Sequence, residues 1–221
     1  MKINKIKMPK KIDRINLLIL LSVLSSGTLL IANLSATKLW SFFGIAVDGG
    51  IVIFPLSYVL GDVIIEFYGD KRSRKVTYAS FFLNVLASIT FFIAISLPAH
   101  PEWTGQAAFE AILGGTPRII LASLTAYLIS QLLNIYFFEK IRQKTDGKYL
   151  LVRTIGSSII ARLFDVLIFD FIAFFGILPV SDFVGQVVFA YFAGMVLELV
   201  LSPLTVISIN FFRKRLDSTR E

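Results

Sequence analysis

Asp62 and Glu66 stand four residues apart in an otherwise apolar run, FPLSYVLGDVIIEFYG (Phe54–Gly69). Asp165 and Asp170 share a second run, RTIGSSIIARLFDVLIFDFIAFFG (Arg153–Gly176), with Arg162, and Glu198 lies in a third. The amides Asn33, Asn84, Gln131 and Asn134 occupy similar apolar surroundings. Ionised groups are expensive in hydrocarbon, so they face a protein interior or a wet cavity and mark candidate solute pathways. Carboxylates and amides together accept and donate hydrogen bonds, which suits the edge of a planar, nitrogen-rich solute. Phe54, Tyr58, Phe164 and Phe169 supply nearby ring faces on which such a solute can stack. The substrate-binding candidates are therefore Asn33, Asp62, Glu66, Gln131, Asn134, Arg162 and Asp165. Asp170 and Glu198 are the candidates for carrying a coupled proton.

Each of these has a plainer reading. Arg162 and Asp165 are three residues apart, so they can pair on one helix face and offset their own desolvation. Ser123, Tyr127, Ser130, Gln131 and Asn134 recur at helical spacing, a polar stripe that serves packing as well as cavity lining. Asn33 can equally tie two helices together. His100, beside Pro101, reads as a solvated loop residue.

Other chemistry is poorly represented. The chain has no cysteine and one histidine, which leaves neither a thiolate nucleophile nor a multi-histidine metal site. No Walker A motif, G-x-S-x-G elbow or H-E-x-x-H sequence occurs, so neither ATP hydrolysis nor the common hydrolases are expected, and no cofactor is implied. The pair Gly61-Asp62 faintly resembles an intramembrane aspartyl protease, with Asp165 as partner, but the surrounding motif is missing.

The elements that position these groups are membrane helices. Of 221 residues, 56% are hydrophobic, and mean hydropathy is +0.76. The expected fold is an all-α integral membrane protein with six transmembrane helices: Ile15–Ala36, Phe43–Tyr68, Val76–Leu97, Ile112–Phe138, Ile155–Leu178 and Phe183–Phe212. Each meets the requirement of about 20 residues for a spanning helix. That divides the chain into a basic N-terminus (1–14), a transmembrane domain (15–212) and a basic tail (213–221).

Charge orients the bundle. Lysines and arginines cluster before span one (Lys2 to Arg14), between two and three (Lys71 to Lys75), between four and five (Lys140 to Arg153), and after six (Arg213 to Arg220). Lys38 and Arg118 fall on the opposite side. The positive-inside rule then puts both termini in the cytoplasm. The net charge of +7 is accounted for by topology, and no nucleic-acid partner is needed. The first apolar run is longer than a signal-peptide core and reads as a retained helix. Gly49, Gly50, Pro55 and Gly61 would bend or thin span two, and Pro203 would kink span six. DVIIEF (Asp62–Phe67) echoes DVLIFDF (Asp165–Phe171) in a helix of opposite direction, as a three-plus-three inverted repeat requires.

The run Ala32, Asn33 and Lys38, the Phe54–Gly69 core, SLTAYLISQLLN (Ser123–Asn134) and the R…GSS…D…F…AF pattern of span five resemble the queuosine-precursor transporter family. That family is also called a vitamin uptake transporter family. The resemblance runs from about Ala32 to Pro203 and implies six helices and import of 7-deazaguanine bases such as preQ0 or preQ1 across a bacterial inner membrane. By it, Asn33, Asp62, Glu66, Arg153, Ser157, Ser158 and Asp165 occupy family-type positions. Ile65, Asn134, Arg162 and Gly194 depart from the family's Thr, Asp, Gln and Lys, as though a cation had moved from span six to span five.

A secondary, proton-coupled carrier for a nucleobase-like solute follows as the expected function, with membrane lipid as surroundings. Two rivals stand beside it: a substrate-binding subunit that needs a separate ATP-driven energising module, and a structural scaffold. A channel reading would call for a homo-oligomer with rings of like side chains.

Overall fold

A computed structural model describes residues 14–42, 45–115, 117–176 and 179–217. Helices dominate it: α1 (Arg14–Ser35), α2 (Phe54–Ser96), α3 (Gln106–Leu113), α4 (Pro117–Lys144), α5 (Leu150–Phe174) and α6 (Val180–Asp217). A short antiparallel hairpin, β1 (Leu39–Phe42) and β2 (Ile45–Asp48), and a 3₁₀ turn (Gly49–Val52) connect α1 to α2. The basic N-terminus lies outside the described residues up to Asp13, as does the tail beyond Asp217. Residues 213–217 of that tail continue α6.

Polar side chains are buried and apolar ones exposed, the reverse of a water-soluble domain. Asp62, Ser80, Asn84, Asn134, Arg153 and Ser157 are buried, whereas Ile19, Val23, Phe82, Phe92, Phe171, Phe192 and Val200 are exposed. Lipid solvates the second set, and only the bundle interior can satisfy the first. Helix α1 shows how one sequence serves both. Leu17, Leu21, Ser25, Thr28, Leu29 and Ala32 recur every three or four residues and face inward. Leu17 and Leu21 join Leu60, Val63 and Ile64 of α2 and Ile209 of α6 in the main apolar cluster.

Four described stretches are long and apolar enough to cross a bilayer: Arg14–Ser35, Leu56–Ser96, Gln106–Lys144 and Phe183–Arg213. This differs from six separate apolar helices in three ways. The expected start of span two, Phe43, lies with Gly44 outside the described residues; Ile45–Val52 forms β2 and the 3₁₀ turn, and helix starts only at Phe54. The apolar composition of Ile45–Val52 fits a strand as well as a helix, and Gly49-Gly50 interrupts it. Spans two and three form one 41-residue stretch, broken at Gly69, whose φ of 74° and ψ of 179° are not helical. Only glycine adopts such a conformation readily. Helix α5 does not qualify on composition, because Arg153, Arg162, Asp165 and Asp170 lie within it.

Arg14, Arg153 and Arg213, members of three basic clusters, lie at one end of the bundle. Tyr68, just before the Gly69 break, donates its hydroxyl to the Arg14 carbonyl at 2.8 Å, joining the start of α1 to α2. A tight turn with Asp146, Gly147 and Tyr149 at positive φ returns α4 into α5 at this same end. The Thr145 hydroxyl lies 2.9 Å from the Ile141 carbonyl and 3.0 Å from that of Lys148 and donates to either across the turn. At the other end Arg118 of α4 donates to the carbonyls of Ile172 and Phe175, filling acceptors left open where α5 stops.

Candidate solute-binding site

The polar core is built on α4, which packs extensively against α5 and also touches α2. Asn134 donates from Nδ2 to Oδ1 of Asp62 on α2 at 3.3 Å. One turn earlier on α4, Ser130 donates to Oδ1 of Asp165 on α5 at 3.2 Å. A single face of α4 thus holds the two aspartates of the sequence echo. Gln131 shares the Asn134 side and comes close to Gly61, where an added Cβ would lie 3.5 Å from its Oε1.

Asp62 is fully buried, and its Oδ2 has no hydrogen-bond partner, nor does Oδ1 of Asn134. Buried polar atoms without partners are rare in native proteins and call for an explanation such as water, ion or ligand. Arg162 of α5 lies above this layer. Its Nη1 donates to the Tyr58 hydroxyl at 3.1 Å and approaches Oδ2 of Asp165 at 3.8 Å, while Cζ stands 5.8 Å from the centre of the Tyr58 ring. Arg162, Tyr58, Ser158, Gly194 and Glu198 line one cavity, so Glu198 on α6 faces the same space as the arginine. A second cavity lies between α1, α2 and α4, lined by Ser25, Ser57, Gly61, Thr77, Gln131 and Asn134.

Both cavities are small, about 20 and 10 Å³. Pockets that enclose drug-sized ligands are typically about 300–1,000 Å³. A purine-sized ring enters this core only if the helices separate.

The remaining candidates lie apart from that layer. Asn33 of α1 donates to Oδ1 of Asn84 at 2.9 Å and accepts from Ser123 at 3.3 Å, which ties α1 to α2 and α4. Asp170 is buried further along α5, where Gln186 of α6 donates to its Oδ1 at 3.1 Å and its Oδ2 has no partner. Glu66 sits at the basic end. Its Oε2 receives Arg153 Nη2 at 2.6 Å, and its Oε1 receives Arg213 Nη2 at 2.7 Å. Arg153 also donates to the Gly147 carbonyl at 2.7 Å.

Two partners escaped the sequence reading. Tyr58 was expected to offer only a ring face, yet its hydroxyl accepts from Arg162. Arg213 counted only as topology, yet it reaches a buried carboxylate 147 residues away. Sequence distance hides both contacts, although Tyr58 lies one helical turn before Asp62. Among the described residues no three His, Cys, Asp or Glu side chains gather as a metal site.

A helical bundle with apolar faces outward and an acidic, amide-rich interior is the architecture of a multi-pass membrane protein. The sequence profile described as "putative vitamin uptake transporter" matches residues 48–208, and the chain belongs to that family. It is therefore a transporter rather than an enzyme. It is 32% identical over 175 residues to the "probable queuosine precursor transporter" of Bacillus subtilis (strain 168), covering 78% of this chain and 76% of that one. It is 27% identical over 134 residues to the "queuosine precursor transporter" of Escherichia coli (strain K12), covering 61% of this chain and 58% of that one. It is 24% identical over 196 residues to a "probable queuosine precursor transporter" of Haemophilus influenzae, covering 81% and 80%. No solved structure matches. These relatives are bacterial transporters, and the protein is a multi-pass protein of the bacterial inner membrane.

Proposed function

We propose that the protein imports a queuosine precursor, a 7-deazaguanine base such as preQ0 or preQ1, as a secondary carrier driven by protons. The observation that carries this reading is the buried Asp62, held on one oxygen by Asn134 and without a partner on the other, beside Gln131 and near the Arg162–Asp165 pair. Such a layer offers acceptors and donors to the edge of a planar base. The relatives' names supply a queuosine precursor as the solute.

In this reading Asp62, Gln131, Asn134, Arg162 and Asp165 meet the base, with Asn33 and Glu66 bracing the helices around it. Glu198 and Asp170 take up and release the proton. The chain crosses six times: α2 contributes two crossings, on either side of Gly69, and α5 crosses despite its charges. Both termini lie in the cytoplasm. The matching aspartates of α2 and α5, both reached by α4, support a three-plus-three inverted repeat. The small cavities belong to a closed state between openings.

The test is uptake of labelled preQ0 and preQ1 by cells that make neither and lack other importers. Wild type is compared with Asp62→Asn at matched membrane abundance. Uptake by wild type alone supports the carrier and the role of Asp62. Uptake that appears only when an ATP-driven module is co-expressed overturns the secondary-carrier reading, and equal uptake by the variant removes Asp62 from the site.

A further inference from the structure

Gly194 is buried in α6 where Arg162 of α5 lies against it. A Cβ added at position 194 would collide with Nε, Nη2 and Cζ of Arg162, so the guanidinium fills the volume that any other residue would need. The same guanidinium reaches across to the Tyr58 hydroxyl of α2 and to Asp165 of its own helix. Both Gly194 and Arg162 line the cavity that Glu198 faces. Glycine in a helix interior is unfavourable by itself. Here its lack of a side chain has a definite use: it allows a planar, branched cation to lie flat between three helices.

We propose that Gly194 is the positioning residue for Arg162, and that the pair determines which solutes the site accepts. This rests on the transport function proposed above. Arg162 carries donors only, and Nη1 already donates to Tyr58, with Asp165 3.8 Å away. Its Nε is buried without a partner. The complement on the solute is therefore an acceptor atom, such as the ring carbonyl of a guanine-like base. Any side chain at position 194 pushes the guanidinium off Tyr58 and moves that donor within the cavity.

Gly194→Ala tests the idea because a bystander glycine would respond in the opposite way. Alanine is the better helix former, so at an open helical position such as Gly185, with no atom within reach of an added Cβ, the change raises thermal stability. At position 194 we expect the reverse: a lower Tm while Arg162 is present, and a higher Tm once Arg162→Gln has removed the obstruction. In uptake of labelled preQ0, Gly194→Ala raises KM about tenfold with a smaller change in maximal rate, an amount equal to about 1.4 kcal/mol. Added to Arg162→Gln, it causes no further loss.

A wild-type KM in Gly194→Ala overturns the proposal. So does an equal change in Tm from Gly194→Ala with either residue at position 162. The stability cycle needs no solute, so it decides the positioning role even if wild type takes up no 7-deazaguanine and the transport reading fails.

Discussion

Ser130 and Asn134 lie one turn apart on α4, and each donates to a different aspartate, Asp165 on α5 and Asp62 on α2. The two contacts look alike but are not equally replaceable. Asp165 keeps Arg162 beside its other oxygen, whereas Oδ2 of Asp62 has no partner. Asn134→Ala should therefore destabilise the protein by about 1–3 kcal/mol, the usual effect of stranding a buried polar group. Ser130→Ala should lower stability by less than about 1 kcal/mol. Thermal unfolding of the two variants in the same detergent measures the difference, and equal losses would contradict it.

Neutralising the aspartates is the corresponding functional test. Asp62→Asn and Asp165→Asn each keep the shape of the side chain and remove its capacity to ionise. Uptake should fall by at least about tenfold in both, equivalent to about 1.4 kcal/mol of lost binding or barrier stabilisation. Membrane abundance should remain within a factor of about two of wild type. A normal rate in Asp165→Asn would confine that residue to pairing with Arg162.

Glu66 is shared unequally by its two arginines. The Arg153 side chain is 2% exposed and that of Arg213 is 47% exposed. Removing a buried partner leaves a charge in low dielectric and typically costs about 3–5 kcal/mol. Removing an exposed partner typically costs about 1 kcal/mol or less. Arg153→Ala should therefore lower the yield of folded protein sharply, while Arg213→Ala remains stable and loses part of the salt dependence of wild-type unfolding. Equal destabilisation by the two substitutions would show that the exposure difference has no energetic weight.

Two glycines separate backbone strain from packing. Gly69 has φ of 74° and Gly185 lies in regular helix, and an added Cβ meets nothing within 4 Å at either. Gly69→Ala should be destabilising by about 1–3 kcal/mol through its backbone alone, because φ of 74° with ψ of 179° is open essentially only to glycine. Gly185→Ala should be stabilising by up to about 1 kcal/mol. Opposite shifts in Tm are the expected result, and shifts of one sign would refute it.

The sequence exposes local features of this protein more readily than long-range ones. The inward stripe of α1 and the polar stripe of α4 follow from helical spacing, and both reach the interior. The Arg162–Asp165 pair is likewise legible, because three residues along a helix bring side chains together. Hydropathy fails at Ile45–Val52, since strand and helix can have the same apolar content. The apolar run of span five does coincide with most of α5, although four charged residues lower its apolar content. The absence of a side chain at Gly194 is visible in sequence, but its meaning depends on an arginine 32 positions earlier that only the fold brings next to it.

The ties to Glu66 constrain how this molecule can move. One carboxylate on α2 is gripped by α5 and α6 together, and Arg153 anchors the α4–α5 turn to the same point. Spreading the helices at that end would strand a charge that the surrounding residues shield from water. The two grips differ in depth: the hold on α6 is the exposed one, so α6 is the helix that can part from Glu66 while Arg153 keeps the carboxylate paired.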